Sequence, residues 1–422
     1  MVGGFGRTTV PRPLPRPSIP ARQLVSAMWV LVSLVTISLS VVRFRAVDLT
    51  VVGTDLGYFL DAARAAVSGG SVYEGPFYVY SPLVAWFLRP LAWSPDAFAW
   101  WTVLGIVACL VAVAATVWAL APTLSSWERP LVALVGVLTA LGDSGLGVEL
   151  ALGQTDTIVL AVTAVALLLY RRGRPGLSGA VLALAALVKT WPVVFVMWLL
   201  RAGARGRARS LLGYLGLLTG CALLVALVTG PGEVVRWIER THAMSDQKFI
   251  VWSAWGVGTE LFTDRGNFIP IVVSTDLARA TDVALAALVI AALVLVLRRP
   301  AESALSLWHI VMGAVLLLPV SHDQYRVLFL PLIWVWFASA LRTRGDVPAV
   351  AAFFVMMLRW AMPWLLAPLG VDDRWKFLAI MLTDITALCV SVVVAAWFMH
   401  RGGPAAQVAP ATRHAKNERP AA

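Results

Sequence analysis

The stretch "LSGAVLALAALVKTWPVVFVMWLL", residues 177–200, decides how this chain is to be read. It is apolar and long enough to cross a bilayer, for which about 20 residues suffice. Yet Lys189 and Pro192 interrupt its middle, and arginine clusters bound it on both sides, "RRGR" at 171–174 and "RAGARGRAR" at 201–209. A single crossing would put those clusters on opposite faces of the membrane. Two short half-helices broken at the proline keep both on one face, where Lys and Arg tend to stay cytoplasmic. The expectation is a re-entrant pair with Lys189 at its tip.

The rest of the chain has the same character. Of its 422 residues 59% are hydrophobic and 14% charged, with a mean hydropathy of +0.81. That is more apolar side chain than a soluble domain can bury, so the surplus must face lipid. Spans are expected near 24–42, 97–120, 130–141, 150–170, 210–229, 276–297, 304–320, 324–341, 347–366 and 377–399. With the re-entrant pair this makes an all-α, polytopic membrane bundle of about twelve helical pieces over 24–400. Residues 1–23 and 401–422, rich in Pro, Arg and Ala, read as disordered tails.

Charge orients the chain. With both termini cytoplasmic, the segments 7–22, 129, 171–174, 201–209, 298–299, 342–344 and 401–419 place 20 of the 34 Lys and Arg on the cytoplasmic side, with 4 of the 23 Asp and Glu. The net charge of +11 therefore reads as topology and not as nucleic-acid binding. Carboxylates gather on the opposite side and in the interior. The three cysteines, Cys109, Cys221 and Cys389, sit in apolar runs and suggest neither a disulfide framework nor a metal pattern.

Two stretches on that opposite side carry candidate chemistry. In the first loop, 43–96, Gly53-Thr54-Asp55 precedes a run in which Phe59, Leu60, Ala63, Ala66 and Val67 recur at helical spacing, with Asp61 and Arg64 on another face. The reading is an interfacial amphipathic helix, ended by "SGG", followed by a second one begun at Pro82. Asp55 there can cap a helix or serve as a base, and the two roles are compatible. The long loop 230–275 holds Lys248, Trp252 and Trp255. Tryptophan faces stack on sugar rings and also anchor a chain at headgroup depth.

The segment "FLDAARAAVSGGSVYEGPFYVYSPLVAWFLRPLAWSP" (59–95), with Asp55 before it, resembles the polyprenyl-phosphate-mannose-dependent alpha-(1→2)-mannosyltransferases of actinobacterial type, members of the GT-C class of membrane glycosyltransferases. The similarity continues at "LGQTDTIVLAVTAVALLLYRRGRPGLSGAVLALAALVKTWP" (152–192), with its Gly-Gln motif, basic turn and Lys before Pro. It appears again at "LLLPVSHDQYRVLFLPL" (316–332). Two departures stand out. Tyr80-Ser81-Pro82 replaces an aromatic-Tyr-Pro-Pro element, and Val251 to Gly256 replaces an Asn-Gln-Ser-like one.

The resemblance implies a GT-C fold at the plasma membrane with an active site on the extracytoplasmic face. It implies a lipid-linked sugar monophosphate as donor and a hydroxyl of an envelope glycolipid or lipoglycan as acceptor. Asp55 would be the catalytic base. The departing phosphate needs positive charge or donors, for which Lys189, His322, Arg326 and Lys248 are candidates. Tyr58, Tyr80, Gln154, Trp252 and Trp255 are candidates for sugar or lipid contact, and Asp156 for a counter-ion to Lys189. His322 and Arg326, one turn apart, are expected to point into the same cavity. No cofactor is otherwise implied; a divalent cation bridging Asp55 and phosphate stays open. The segment 356–377 is reminiscent of arabinofuranosyltransferases of the same fold, which changes the sugar and keeps the reaction. A transporter or flippase is the alternative from another class, since broken helices with an intramembrane lysine also mark transport sites.

Overall fold

A computed structural model describes residues 19–75, 77–201, 204–243, 251–298 and 303–400. The expected tails lie largely outside these residues, as does Lys248. All described regular structure is helical. The first long helix, α1 (Ile19–Arg45), starts before the expected residue 24. In the loop that follows, α2 (Thr54–Ser68) and α3 (Pro82–Leu88) are the two expected interfacial helices. α2 forms because Leu56, Phe59, Leu60, Ala63 and Ala66 fall on one buried face, and it stops at Gly69, whose φ of 79° suits glycine. Val67 is exposed, off the face expected for it, while Asp61 and Arg64 pair at 2.7 Å in solvent.

The bundle continues with α4 (Ala97–Leu120), α5 (Glu128–Leu141), α6 (Ser144–Leu152), α7 (Asp156–Arg171), α8 (Pro175–Val188), α9 (Val196–Leu199) and α10 (Ala204–Thr229). After α11 (Pro231–Ala243) and α12 (Val257–Phe262) come α13 (Thr275–Leu297), α14 (Ala304–Leu316), α15 (Leu330–Arg342), α16 (Val347–Leu366) and α17 (Asp373–His400). Among the described residues seven helical segments are long and apolar enough to span a membrane. They correspond to α1, α4, α10, α13, α15 with the turn before it, α16 and α17. The bent pair α5 and α6, at 55°, makes an eighth if it is one span. This is a polytopic helical membrane protein.

The expected count of about twelve is therefore not a count of full spans. The predicted span 150–170 is divided by Gly153, which ends α6 with a φ of 73° and leaves α7 only 16 residues. The predicted span 304–320 yields a helix of 13 residues. In the re-entrant segment α8 is the first half, broken at Lys189 in extended conformation, but the return is a 3-10 turn, Trp191–Phe195, and the four-residue α9. Pro192 has no N–H to continue a ladder, and Val193 and Val194 crowd a helical turn. Likewise, the predicted loop 230–275 contains α11 and α12.

The two arginine clusters do end up together. A Cβ on Gly179 would collide with the Ser210 carbonyl, and one on Gly213 with the Gly176 carbonyl. α8 and α10 thus touch backbone to backbone near their starts, so 171–174 and 201–209 share one end of the bundle. α1 and α10 are outermost, with 6% and 11% of their apolar windows buried, and face lipid. Trp308, Trp334 and Trp336 on α14 and α15 fill the centre.

Candidate active site

Two glycines bring the first loop to the bundle. A Cβ at Gly53 would lie 2.5 Å from the Ala151 carbonyl oxygen and one at Gly153 would lie 2.5 Å from the Leu56 Cβ. The backbone before α2 therefore rests directly on the turn between α6 and α7. Trp101 of α4 holds that turn from behind, donating its indole N–H to the Gly153 carbonyl at 2.9 Å. Gln154 is then aimed at Asp55: its Nε2 donates to Asp55 Oδ2 at 2.5 Å, and its Oε1 accepts from the Tyr80 hydroxyl at 3.0 Å. Asp55 is the second residue of α2, and the helix is capped at Gly53 without a side-chain bond. The carboxylate takes its hydrogen bond from Gln154, so capping is not its role.

Asp55 opens onto a cavity of about 590 Å³. The wall is contributed by the start of α2, residues 77–80, the 152–154 turn, the break at 189–191, Trp252 and residues 320–325. Three segments far apart in sequence meet here. Tyr58, Tyr80, Gln154, Lys189, Trp252 and His322 all line it, as expected of them. Lys189 is 4% exposed, its Nζ 2.7 Å from Asp156 Oδ2, and lies 4.1 Å from the centre of the Tyr325 ring. Asp156 is the counter-ion expected. Tyr325 stacks on Trp191, centroids 6.0 Å apart, and meets the His322 ring edge-on at 5.6 Å.

Three expected residues are placed elsewhere. Arg326 does not reach the cavity. Its Nε lies 2.9 Å from Asp384 Oδ2 on α17, and its Nη2 donates to the Arg359 carbonyl on α16 at 3.1 Å. The 3-10 turn of residues 323–329 rotates it away from His322 into the bundle. Trp255 donates to the Leu317 carbonyl at 3.0 Å and is 40% exposed, outside the cavity wall. Lys248 is outside the described residues. The sequence reading missed Trp191, Asp323, Gln324 and Tyr325 on the wall. Tyr325 was accessible in principle, sitting three residues after His322 in one turn. It also missed Glu149, a carboxyl 1% exposed whose Oε1 accepts from the Thr157 N–H at 3.1 Å, next to the Lys189–Asp156 pair.

Burial pushes the Asp55 carboxyl above the usual carboxylate range, against the opposing pull of the Gln154 hydrogen bond and the Lys189 charge. Burial, with the Lys189 charge, pulls His322 down to about 4, so at neutral pH it is an uncharged imidazole. It can donate or accept a hydrogen bond but brings no positive charge. A sign follows for Gln154→Leu. Removing a donor to the ionised form raises the Asp55 pKa further, so the acid limb of kcat/KM should move to higher pH, read from pH–rate profiles of variant and wild type. Among the described residues no three His, Cys, Asp or Glu converge as metal ligands. A divalent ion at Asp55 would take most of its ligands from substrate.

No curated protein matches this chain. The family model of glycosyltransferase family 87 matches residues 78–321. That match begins at the cavity's aromatic rim, runs through Gln154 and Lys189, and ends beside His322. Because it spans more than half the chain, the protein belongs to glycosyltransferase family 87 and is a membrane glycosyltransferase.

Proposed function

We propose that the enzyme transfers mannose, with inversion, from a polyprenyl monophosphate to a hydroxyl of an envelope glycolipid or lipoglycan, in alpha-1,2 linkage. The observation that carries this reading is the Asp55 carboxylate, hydrogen-bonded by Gln154 and bordering one cavity with a buried lysine and a neutral histidine. The acceptor oxygen attacks the anomeric carbon as the bond from that carbon to the phosphate oxygen breaks. The bonding pair leaves with the phosphate, and the acceptor proton passes to Asp55. Lys189, which faces the cavity from its pairing with Asp156, offsets the charge that grows on the leaving phosphate. His322 adds a hydrogen bond there. The aromatic wall of Tyr58, Tyr80, Trp191 and Trp252 suits the apolar faces of sugar rings and the first isoprene units.

The basic clusters at one end of the bundle support a plasma-membrane topology with both termini cytoplasmic. The cavity, lined by the first loop, then opens on the extracytoplasmic face, where the donor headgroup and the glycolipid acceptor are met.

The test is transfer by the purified enzyme in lipid nanodiscs. It is offered radiolabelled polyprenyl-phosphate mannose, polyprenyl-phosphate arabinose or a nucleotide-linked mannose, with membrane glycolipid extract as acceptor. Label should move from the first donor alone, and the product linkage should be alpha. Transfer from the arabinose lipid would replace the sugar and keep the chemistry. Transfer from the nucleotide sugar would overturn the lipid-phosphate donor.

A further inference from the structure

A second cleft, of about 720 Å³, lies on the far side of α11 from the catalytic cavity. One wall is a stripe along α11, Arg236, Glu239, Arg240 and Ala243, spaced so that all four fall on one helical face. The other wall is Ser71, Tyr73 and Glu74, in the turn after α2. Val235 and Ile238, off that stripe, are exposed apolar side chains that seat α11 at the membrane boundary.

The partition between the two spaces is one residue thick along the helix. Arg240 donates to the Tyr73 carbonyl at 3.0 Å, and both residues line the cleft. The next residue, Thr241, donates to the Val79 carbonyl at 3.4 Å, and both of these line the catalytic cavity. A chain-like substrate with one end at Asp55 continues over this partition into the cleft.

The chemistry of the cleft selects what that chain is. The Arg236 guanidinium pairs with Glu233 at 2.7 Å, and Arg240 spends an N–H on Tyr73. Glu74 accepts from the Ser71 N–H in its own turn, and Glu239 has no partner among the described residues. Carboxylate acceptors are thus in surplus, beside guanidinium N–H groups that remain. Vicinal hydroxyls, each both donor and acceptor, satisfy such a set, whereas an anionic group would meet two carboxylates. We infer that this cleft is the acceptor subsite for a neutral oligosaccharide, binding the sugars that precede the one receiving the transfer. This rests on the glycosyl-transfer reading above and adds the class of acceptor to it.

The test measures binding with no donor present, so that a wrong base or donor assignment shows in the transfer assay and not here. The full-length protein in nanodiscs is titrated with mannose and with manno-di-, tri- and tetrasaccharide, and with a phosphate-capped tetrasaccharide. Wild type should bind the tetrasaccharide about tenfold more tightly than mannose, the worth of one added hydrogen bond to a charged group. Glu239→Ala removes the unspent carboxylate and Ala243→Trp fills the cleft. Both positions are exposed, so melting temperatures should hold, and both variants should lose the gain with chain length. The assignment is overturned if wild type shows no gain with length, if the gain survives in either variant, or if the phosphate-capped sugar binds more tightly than the neutral one.

Discussion

Asp55→Asn should lower sugar transfer by about 10²–10⁴-fold, the range lost with a general base, at unchanged yield and melting temperature. The substitution is nearly isosteric, and the asparagine carbonyl can still accept from Gln154 Nε2 as Asp55 Oδ2 does now. The clasp of Gly53 against the 152–154 turn does not involve this side chain, so the cavity keeps its shape. What is lost is a site for the acceptor proton, because an amide does not take it up at neutral pH. Single-turnover transfer from the lipid donor, with donor binding measured separately, should show the deficit in the rate and not in affinity. Full activity in the Asn variant would move the base elsewhere, and Asp323 is the other carboxyl on the wall.

The largest loss of stability is expected from Asp384→Ala. Asp384, 1% exposed, lies 2.9 Å from Arg326 Nε and 2.9 Å from Arg359 Nε. The two guanidiniums cross-brace as well, each donating to the other residue's backbone carbonyl, at 3.1 and 3.0 Å. One carboxylate therefore ties the turn before α15 to α16 and α17. Deleting it leaves two cations in the bundle interior without it, and breaking a buried pair costs about 3–5 kcal/mol. Thermal unfolding in detergent should show a large drop in Tm, with Asp384→Asn intermediate because it keeps hydrogen-bond acceptance without charge. If Asp384→Ala melts like wild type, the triad is not a brace.

Seven membrane spans could be read from the sequence because the apolar run is the whole signal: lipid rewards it wherever the chain places it. The interrupted segments were less legible. Where α6 ends depends on Gly153 adopting a positive φ against Leu56, a tertiary contact that no local pattern announces. At the site, the residues that came out right were polar or charged groups that an apolar chain does not carry without cause, namely Asp55, Gln154, Lys189 and His322. Arg326 satisfied the same criterion and went elsewhere, because its partner Asp384 lies 58 residues away. An intramembrane charge says that a partner exists, and its distance in sequence is silent about which.

The seating of Gly53 on the carbonyls of residues 151 and 152 also sets an order of events. The chain emerges from its N-terminus, so the segment carrying Asp55 is made well before the turn it must rest on. Until α6 and α7 are inserted, α2 has no backbone to dock against and Asp55 has no Gln154. The catalytic carboxylate is thus present early while its site does not yet exist. An enzyme that works on membrane lipids stays inert during its own insertion, and becomes competent when two glycines without side chains close on each other.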